Sequence, residues 1–211
     1  MRTFLILMFS WIVHAGGGPM QPEPALILNG TRLAQQVDTL TVDVKRSVVK
    51  WRGTKFWGRR KHEGVVNILQ GEIALSKGAI VAGWFEIDMT TIEVTDIPVT
   101  DPVPRKGLRD HLMNADFFDV DLYPQSRFEI SHVDWVDAEK AMVTGDLTIK
   151  RTTHPITFEV DVTDQDANHF KASAQFSINR YVWDVSFKGS RLRNDLVDDD
   201  IHFEVLLVAA K

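Results

Sequence analysis

Cysteine is absent from the chain. Disulfide staples, thiolate metal sites, cysteine nucleophiles and a lipidated cysteine are thereby excluded, and folding rests on burial and hydrogen bonding. A basic surplus is missing too: 24 Lys and Arg against 29 Asp and Glu give a formal net charge of −5. That balance argues against a nucleic-acid partner, because phosphate binding needs a concentrated positive field. There is no G-x-S-x-G elbow, no P-loop and no G-x-G-x-x-G after a strand pattern. The seven histidines, at 14, 62, 111, 132, 154, 169 and 202, include no i, i+2 or i, i+4 pair, so no metal-ligand spacing is visible. Asp195, Asp198, Asp199 and Asp200 lack the alternating ligand order of a calcium loop and read as a solvated hairpin tip. Neither an enzyme nor a metal protein is expected.

With 211 residues, 44% of them hydrophobic, the chain is able to bury a core, and one domain is expected. Residues 1–15 carry Arg2, an apolar run from Phe4 to Val13, and Val13 and Ala15 at the −3 and −1 positions of a cleavage site. They read as a secretory signal, since the run is shorter than the about 20 residues of a membrane span. Residues 16–36 combine glycines with three prolines and read as a linker. The domain then covers 37–211, and a periplasmic or secreted location is expected.

Period-two alternation dominates that domain. Ile156, Phe158, Val160 and Val162 alternate with polar residues, as do Phe170, Ala172, Ala174, Phe176 and Ile178, and then Ile201, Phe203, Val205, Leu207 and Ala209. Phe85, Ile87 and Met89 share one strand face, Phe128 and Ile130 another, and Val143, Leu147 and Ile149 a third. Over 63–76, odd parity puts Val65, Leu69, Ile73 and Leu75 together, with Gly71 marking a bend. Lys45-Arg46-Ser47 and Gly58-Arg59-Arg60-Lys61 are turns; the second is either a solvated hairpin tip or a contact for an anionic head group. About eight hairpin-connected strands, each with one oily face and almost no helix between them, predict an all-β, antiparallel eight-stranded barrel, with a sandwich as the alternative. Eight strands suffice to enclose one small ligand. Barrel-seam edges are where a homodimer would form.

One segment breaks the pattern. Asp96 to Arg105 contains Pro98, Pro102 and Pro104 and reads as irregular. Leu108 and Leu112 then share a helical face up to Asn114, and Phe117-Phe118 follows, a pair that needs a cavity. Pro124 returns the chain to a strand near Arg127. The whole is a short helix and plug between two parts of the sheet.

These residues carry a resemblance. Arg109-Asp110-His111-Leu112, Asp116-Phe117-Phe118-Asp119, Tyr123-Pro124 and Phe128 resemble the leading signature of the YceI-like family. Gly145 to Ile149 with His154-Pro155-Ile156, and Phe176 to Arg180 followed by Trp183, resemble its later blocks in the same order. Arg151 stands where the family commonly has glycine, and the prolines of 98–104 where many members run directly into the helix. The resemblance implies a lipocalin-like barrel, exported to the periplasm, whose interior binds an amphiphilic isoprenoid lipid such as a polyprenyl phosphate or an isoprenoid quinone. Transient membrane contact is a further expectation for a carrier of such a lipid.

For a linear isoprenoid the chemistry required is a narrow dry tunnel with polar groups at one end. The interior candidates are Phe85, Ile87 and Met89, then Phe128, Ile130, Leu147 and Ile149, then Phe158, Val160, Phe176, Ile178, Phe203 and Val205. Parity alone does not separate ligand contact from core filling. At the mouth and plug stand Arg109, His111, Phe117, Phe118 and Arg180. The arginines either meet an anionic or carbonyl head group or pair with Asp110, Asp116 or Asp119; His111 caps or cross-links the loop. A different class of function, a structural or stress-related envelope interaction module with a solidly packed barrel, stays open at this point.

Overall fold

A computed structural model describes residues 37–186 and 196–211. The expected signal (1–15), the linker (16–36) and Asp195 lie outside those residues. The elements are β1 (Val37–Val42), β2 (Val48–Lys55), β3 (Arg60–Ser76), β4 (Ala79–Val94), α1 (Pro102–Met113), β5 (Gln125–Trp135), β6 (Lys140–Ile149), β7 (Thr152–Gln165), β8 (His169–Asn179), a 3-10 turn (Arg180–Trp183) and β9 (Val197–Ala210).

Every pairing among these strands is antiparallel, and the pairing of β3 with β4 closes the sheet on itself. The ring has eight positions filled by nine segments. β1 and β2 both lie between β3 and β9, β1 against residues 72–76 and 209–210, β2 against 60–66 and 197–206. They are one strand position interrupted by the turn at 43–47, where Ser47 N–H donates to the Asp43 carbonyl (2.9 Å) and Asp43 N–H to the Val208 carbonyl (2.8 Å). The ring closes through every neighbour, although β7 and β8 pair only over Val160–Gln165 and Phe170–Ala174.

The two ends of the barrel differ. At one end tight turns join β3–β4, β5–β6 and β7–β8; the first is a two-residue turn with Lys77 (φ 53°) and Gly78 (φ 83°) both left-handed, as the right-handed strand twist requires. Leu40, Ile73, Leu75, Ile80, Val143 and Phe170 are buried at that end, and Ile73, Ile80, Val143 and Phe170 form the floor of the lumen. At the other end lie α1, the plug, the 3-10 turn and the β2–β3 hairpin.

Three sequence expectations change here. The stretch 96–105 is not wholly irregular, because α1 begins at Pro102; Pro102 and Pro104 sit in the first turn, where a helix has no acceptor for their missing N–H groups. The odd-parity face of 63–76 is also overturned: Val66, Ile68, Ile73 and Leu75 are buried and Leu69 is exposed. Between Ile68 and Gln70 β3 carries one residue more than its partner β4, and this one-residue slip moves the buried parity from even (Val66, Ile68) to odd (Ile73, Leu75). The acidic run is not a hairpin tip, since Asp198, Asp199 and Asp200 lie within β9.

Candidate functional site

The lumen is hollow above its filled end. A cavity of about 250 Å³ runs along the barrel axis, walled by Phe85, Ile87, Met89, Phe128, Ile130, Leu147 and Ile149 on one side and by Phe158, Val160, Phe176, Phe203 and Val205 on the other. Several of these inward rings are only half-buried although they point into the barrel, because the space they face is not filled by other side chains. Ile178 is the exception among the interior candidates. It is buried in a separate cluster with Phe117, Ile149, Trp183 and Val185 under the plug.

The rings form a collar. Phe203 and Phe176 are cross-strand partners 5.4 Å apart, Phe176 stacks on Phe158 at 4.4 Å, Phe158 meets Phe128 at 5.5 Å, and Phe128 meets Phe85 at 6.4 Å. Trp51, the cross-strand partner of Phe203, extends it to β2. Such offset and stacked pairs are each worth about 0.5–1.5 kcal/mol beyond area burial. β6 lies between the strands of Phe128 and Phe158, and it passes because residue 145 is glycine: a Cβ there would stand 2.4 Å from the Phe128 ring. The Phe158–Phe176 stack also bridges a gap, since the β7–β8 ladder runs only from Val160–Ala174 to Gln165–Phe170 and the strands part beyond it. Pro155, which has no N–H to give, lies on that unladdered half of β7.

The roof is α1 and the plug. Leu108, His111 and Leu112 line the cavity from one helix face, joined by Phe117 and Phe118. No residue of α1 is fully buried. It is held to β4 by Glu93, which accepts from Arg109 (3.2 Å) and Arg105 (3.3 Å). Arg109 thus pairs mainly with Glu93 rather than with Asp110, which stands 3.8 Å away. His111 packs edge-on against Phe117 at 4.8 Å and its Nδ1 is 3.4 Å from the Asn114 amide, which ties the helix end to the plug.

Arg180 is not an open mouth residue. It is 0% exposed, and its guanidinium donates to the carbonyls of Asp198 (3.1 Å), Val185 (3.0 Å) and Val197 (3.1 Å) and to the Tyr181 hydroxyl (2.8 Å). Its planar fork of donors joins the 3-10 turn to β9. Lys150 plays a parallel part. Its ammonium donates to the carbonyls of Phe117 (2.9 Å) and Asp184 (2.6 Å), so one side chain clamps the plug and the 3-10 turn together. Lys150 is the left-handed residue of the β6–β7 turn (φ 56°), beside Arg151.

Polar groups of the wall gather near the start of β9 and the β2–β3 hairpin: Thr54, Lys55, His62, Asp198 and Asp200. His62 Nδ1 lies 2.9 Å from Asp96. Asp198 accepts from Thr54 Oγ1 (2.6 Å), Trp57 N–H (3.0 Å) and Gly58 N–H (2.9 Å), and those donors, the hydroxyl first, hold its carboxyl below the usual carboxylate range. On the outer face Glu63 is likewise depressed by Lys61 and Arg52. No cluster of His, Asp and Glu able to hold a metal occurs among the described residues. Trp51, Thr54, Lys55 and His62 were not among the sequence candidates. Trp51 is the one that the alternation of β2 made findable.

A family model described as YceI-like domain matches residues 40–209. A UPF0312 protein of Pseudomonas putida is 31% identical over 101 residues, 44% of this chain and 50% of that protein. One from Pseudomonas syringae pv. tomato is 32% identical over the same share. The chain thus spans about half the length of the curated relatives it matches. BcnA of Burkholderia cenocepacia superposes with a TM-score of 0.64 at 22% identity, over 80% of this chain and 99% of that one. A polyisoprenoid binding domain from Saccharophagus degradans, implicated in plant cell wall breakdown, superposes at 0.60 with 13% identity, over 83% and 99%. These two likenesses are of fold.

Proposed function

The chain belongs to the YceI-like family, and on that premise we propose that its barrel binds an amphiphilic isoprenoid lipid, a polyprenyl phosphate or an isoprenoid quinone, and carries or stores it without catalysis. The observation that carries this reading is the lumen: an aliphatic and aromatic wall around about 250 Å³, with its charged groups gathered beside the β2–β3 hairpin and the 3-10 turn. A tail without hydrogen-bonding atoms loses nothing on entering such a space, whereas a polar tail forfeits its hydration. The space offers on the order of twenty water-sized sites, room for about four isoprene units, so a longer tail extends beyond the cavity. His62 and His111 meet the head group. Export to the periplasm or beyond the cell, resting on residues 1–15, belongs to the same proposal. A solidly packed barrel acting as an interaction module is disfavoured by the hollow lumen.

The test is uptake of ubiquinone and of undecaprenyl phosphate by delipidated protein, followed by quenching of Trp51 for the quinone and by native mass spectrometry for both. Saturation at one ligand per chain is expected, with the quinone's quenching diminished in Trp51→Phe. A protein that takes up neither overturns the proposal.

A further inference from the structure

The tip of the β2–β3 hairpin, residues 55–60, is built in a way that neither folding nor cargo binding explains. Phe56 (φ 56°), Trp57 (φ 58°) and Gly58 (φ 79°) are three successive left-handed residues. For bulky side chains that conformation is an outlier costing about 1 kcal/mol or more each. The strain is held in place by Asp198, whose carboxylate takes the N–H groups of Trp57 and Gly58, and by Phe56 N–H on the Leu196 carbonyl (3.1 Å). The product of this arrangement is a tryptophan that is 86% exposed.

Cations surround it. Lys55, Arg59 and Arg60 belong to no ion pair among the described residues; Arg60 lies over the Phe56 ring (5.8 Å), and Lys61, the next residue, is paired with Glu63. The Asp198 carboxylate is taken up by the turn's own donors, and Asp199 and Asp200 lie in the irregular stretch between the Lys55–Val197 and Gly53–Ile201 pairs. At this same end stand the exposed Val99 (76%), Val103 (81%) and Leu122 (65%). Among the described residues the opposite end exposes Val37, Val81 and Val136 but no aromatic, and its turns carry Asp137, Glu139 and Asp166 against Lys77. An amphipathic indole ringed by cations without ion pairs among the described residues, at the end where the lumen has most of its polar groups, suits the boundary between water and an anionic bilayer.

We infer that the β2–β3 hairpin tip is a membrane-docking device, inserting Trp57 at the headgroup level of an anionic lipid surface while Lys55, Arg59 and Arg60 contact the lipid phosphates. Docking by this end turns the polar end of the cavity toward the bilayer. The inference goes beyond cargo binding and stands without it.

Because the chain has no cysteine, single labels report position cleanly. The full chain is labelled with a polarity-sensitive dye at Lys61→Cys, or at Ala138→Cys on the opposite end, and mixed with phosphatidylcholine vesicles with or without phosphatidylglycerol. The expected result is a shift to an apolar signal at position 61 only, only with the anionic lipid, fading as salt is raised above about 0.1 M, where the screening length is about 10 Å. In the position-61 background Trp57→Ala is expected to weaken the response by about tenfold or more. Arg59→Glu with Arg60→Glu weakens it by about fivefold or more per residue. These side chains lie outside the core, so unchanged melting confirms an intact barrel. A response equal at positions 61 and 138, one indifferent to Trp57→Ala or to lipid charge, or none at all overturns the inference; the last points to a protein partner for the tip.

Discussion

Ala174→Phe separates a hollow barrel from a solid one. Ala174 is buried on β8, opposite Val160 on one neighbouring strand and Val205 on the other, and its methyl faces the cavity just below the aromatic collar. The substitution adds a phenyl ring, which takes about a sixth of the roughly twenty water-sized sites that the lumen offers. In a packed core such an insertion forces strained rotamers and costs about 1–3 kcal/mol. Here the ring enters space bordered by Phe158, Phe176 and Phe203, so unfolding in denaturant is expected to change by less than about 1 kcal/mol. The same ring shortens the room for a ligand by about one isoprene unit. The assay offers the protein a ladder of polyprenyl alcohols and reads the retained lengths by native mass spectrometry, with the longest fully protected species expected to be shorter in the variant. Destabilisation of the full packed-core size together with an unaltered length profile would refute the reasoning.

Other expectations follow from single contacts. Phe176→Asp puts a carboxylate into the collar and should abolish lipid retention, read by extraction, whether or not the barrel survives. Gly145→Val drives a side chain into the Phe128 ring and the Glu129 carbonyl and should lower stability by about 1–3 kcal/mol or more in a denaturant series. Lys150→Met removes the clamp between the Phe117 and Asp184 carbonyls; a loss of about 1–3 kcal/mol is expected, with faster amide exchange at 114–124 than in the strands. Because the folded Asp198 carboxyl lies below its unfolded value, near 3.9, its contribution is present above that pH and is lost as pH falls through the folded value. Acid below about pH 4 should therefore loosen the β2–β3 hairpin first, and Asp198→Asn should remove that pH dependence, as nuclear magnetic resonance of the Trp57 and Gly58 amides would register.

How far the fold was legible depended on whether a strand kept its period. β8 and β9 pair without interruption from His169–Ala210 to Asn179–Asp200, and their inward residues are those that alternation picks out. β3 was misread because one extra residue between Ile68 and Gln70 reverses its parity midway, and bulges leave little mark in sequence beyond a glycine such as Gly71. The helix start was hidden by prolines that usually forbid helix yet are tolerated in its first turn. In the site, the apolar wall was readable from periodicity and the plug from Phe117-Phe118, whereas the parts played by Arg180 and Lys150 were not. Their partners are backbone carbonyls, which carry no residue identity, so charge pairing in the sequence points to Asp110 or Asp119 instead.

The central claim is that the lumen holds an isoprenoid tail, and the most direct measurement is mass spectrometry of an organic extract from protein purified out of its native envelope, beside an extract of the Phe176→Asp variant. The account predicts a polyprenyl or isoprenoid quinone species at about one per chain in the first and none in the second. An empty native extract, from protein that also fails to take up added quinone or polyprenyl phosphate, would contradict it.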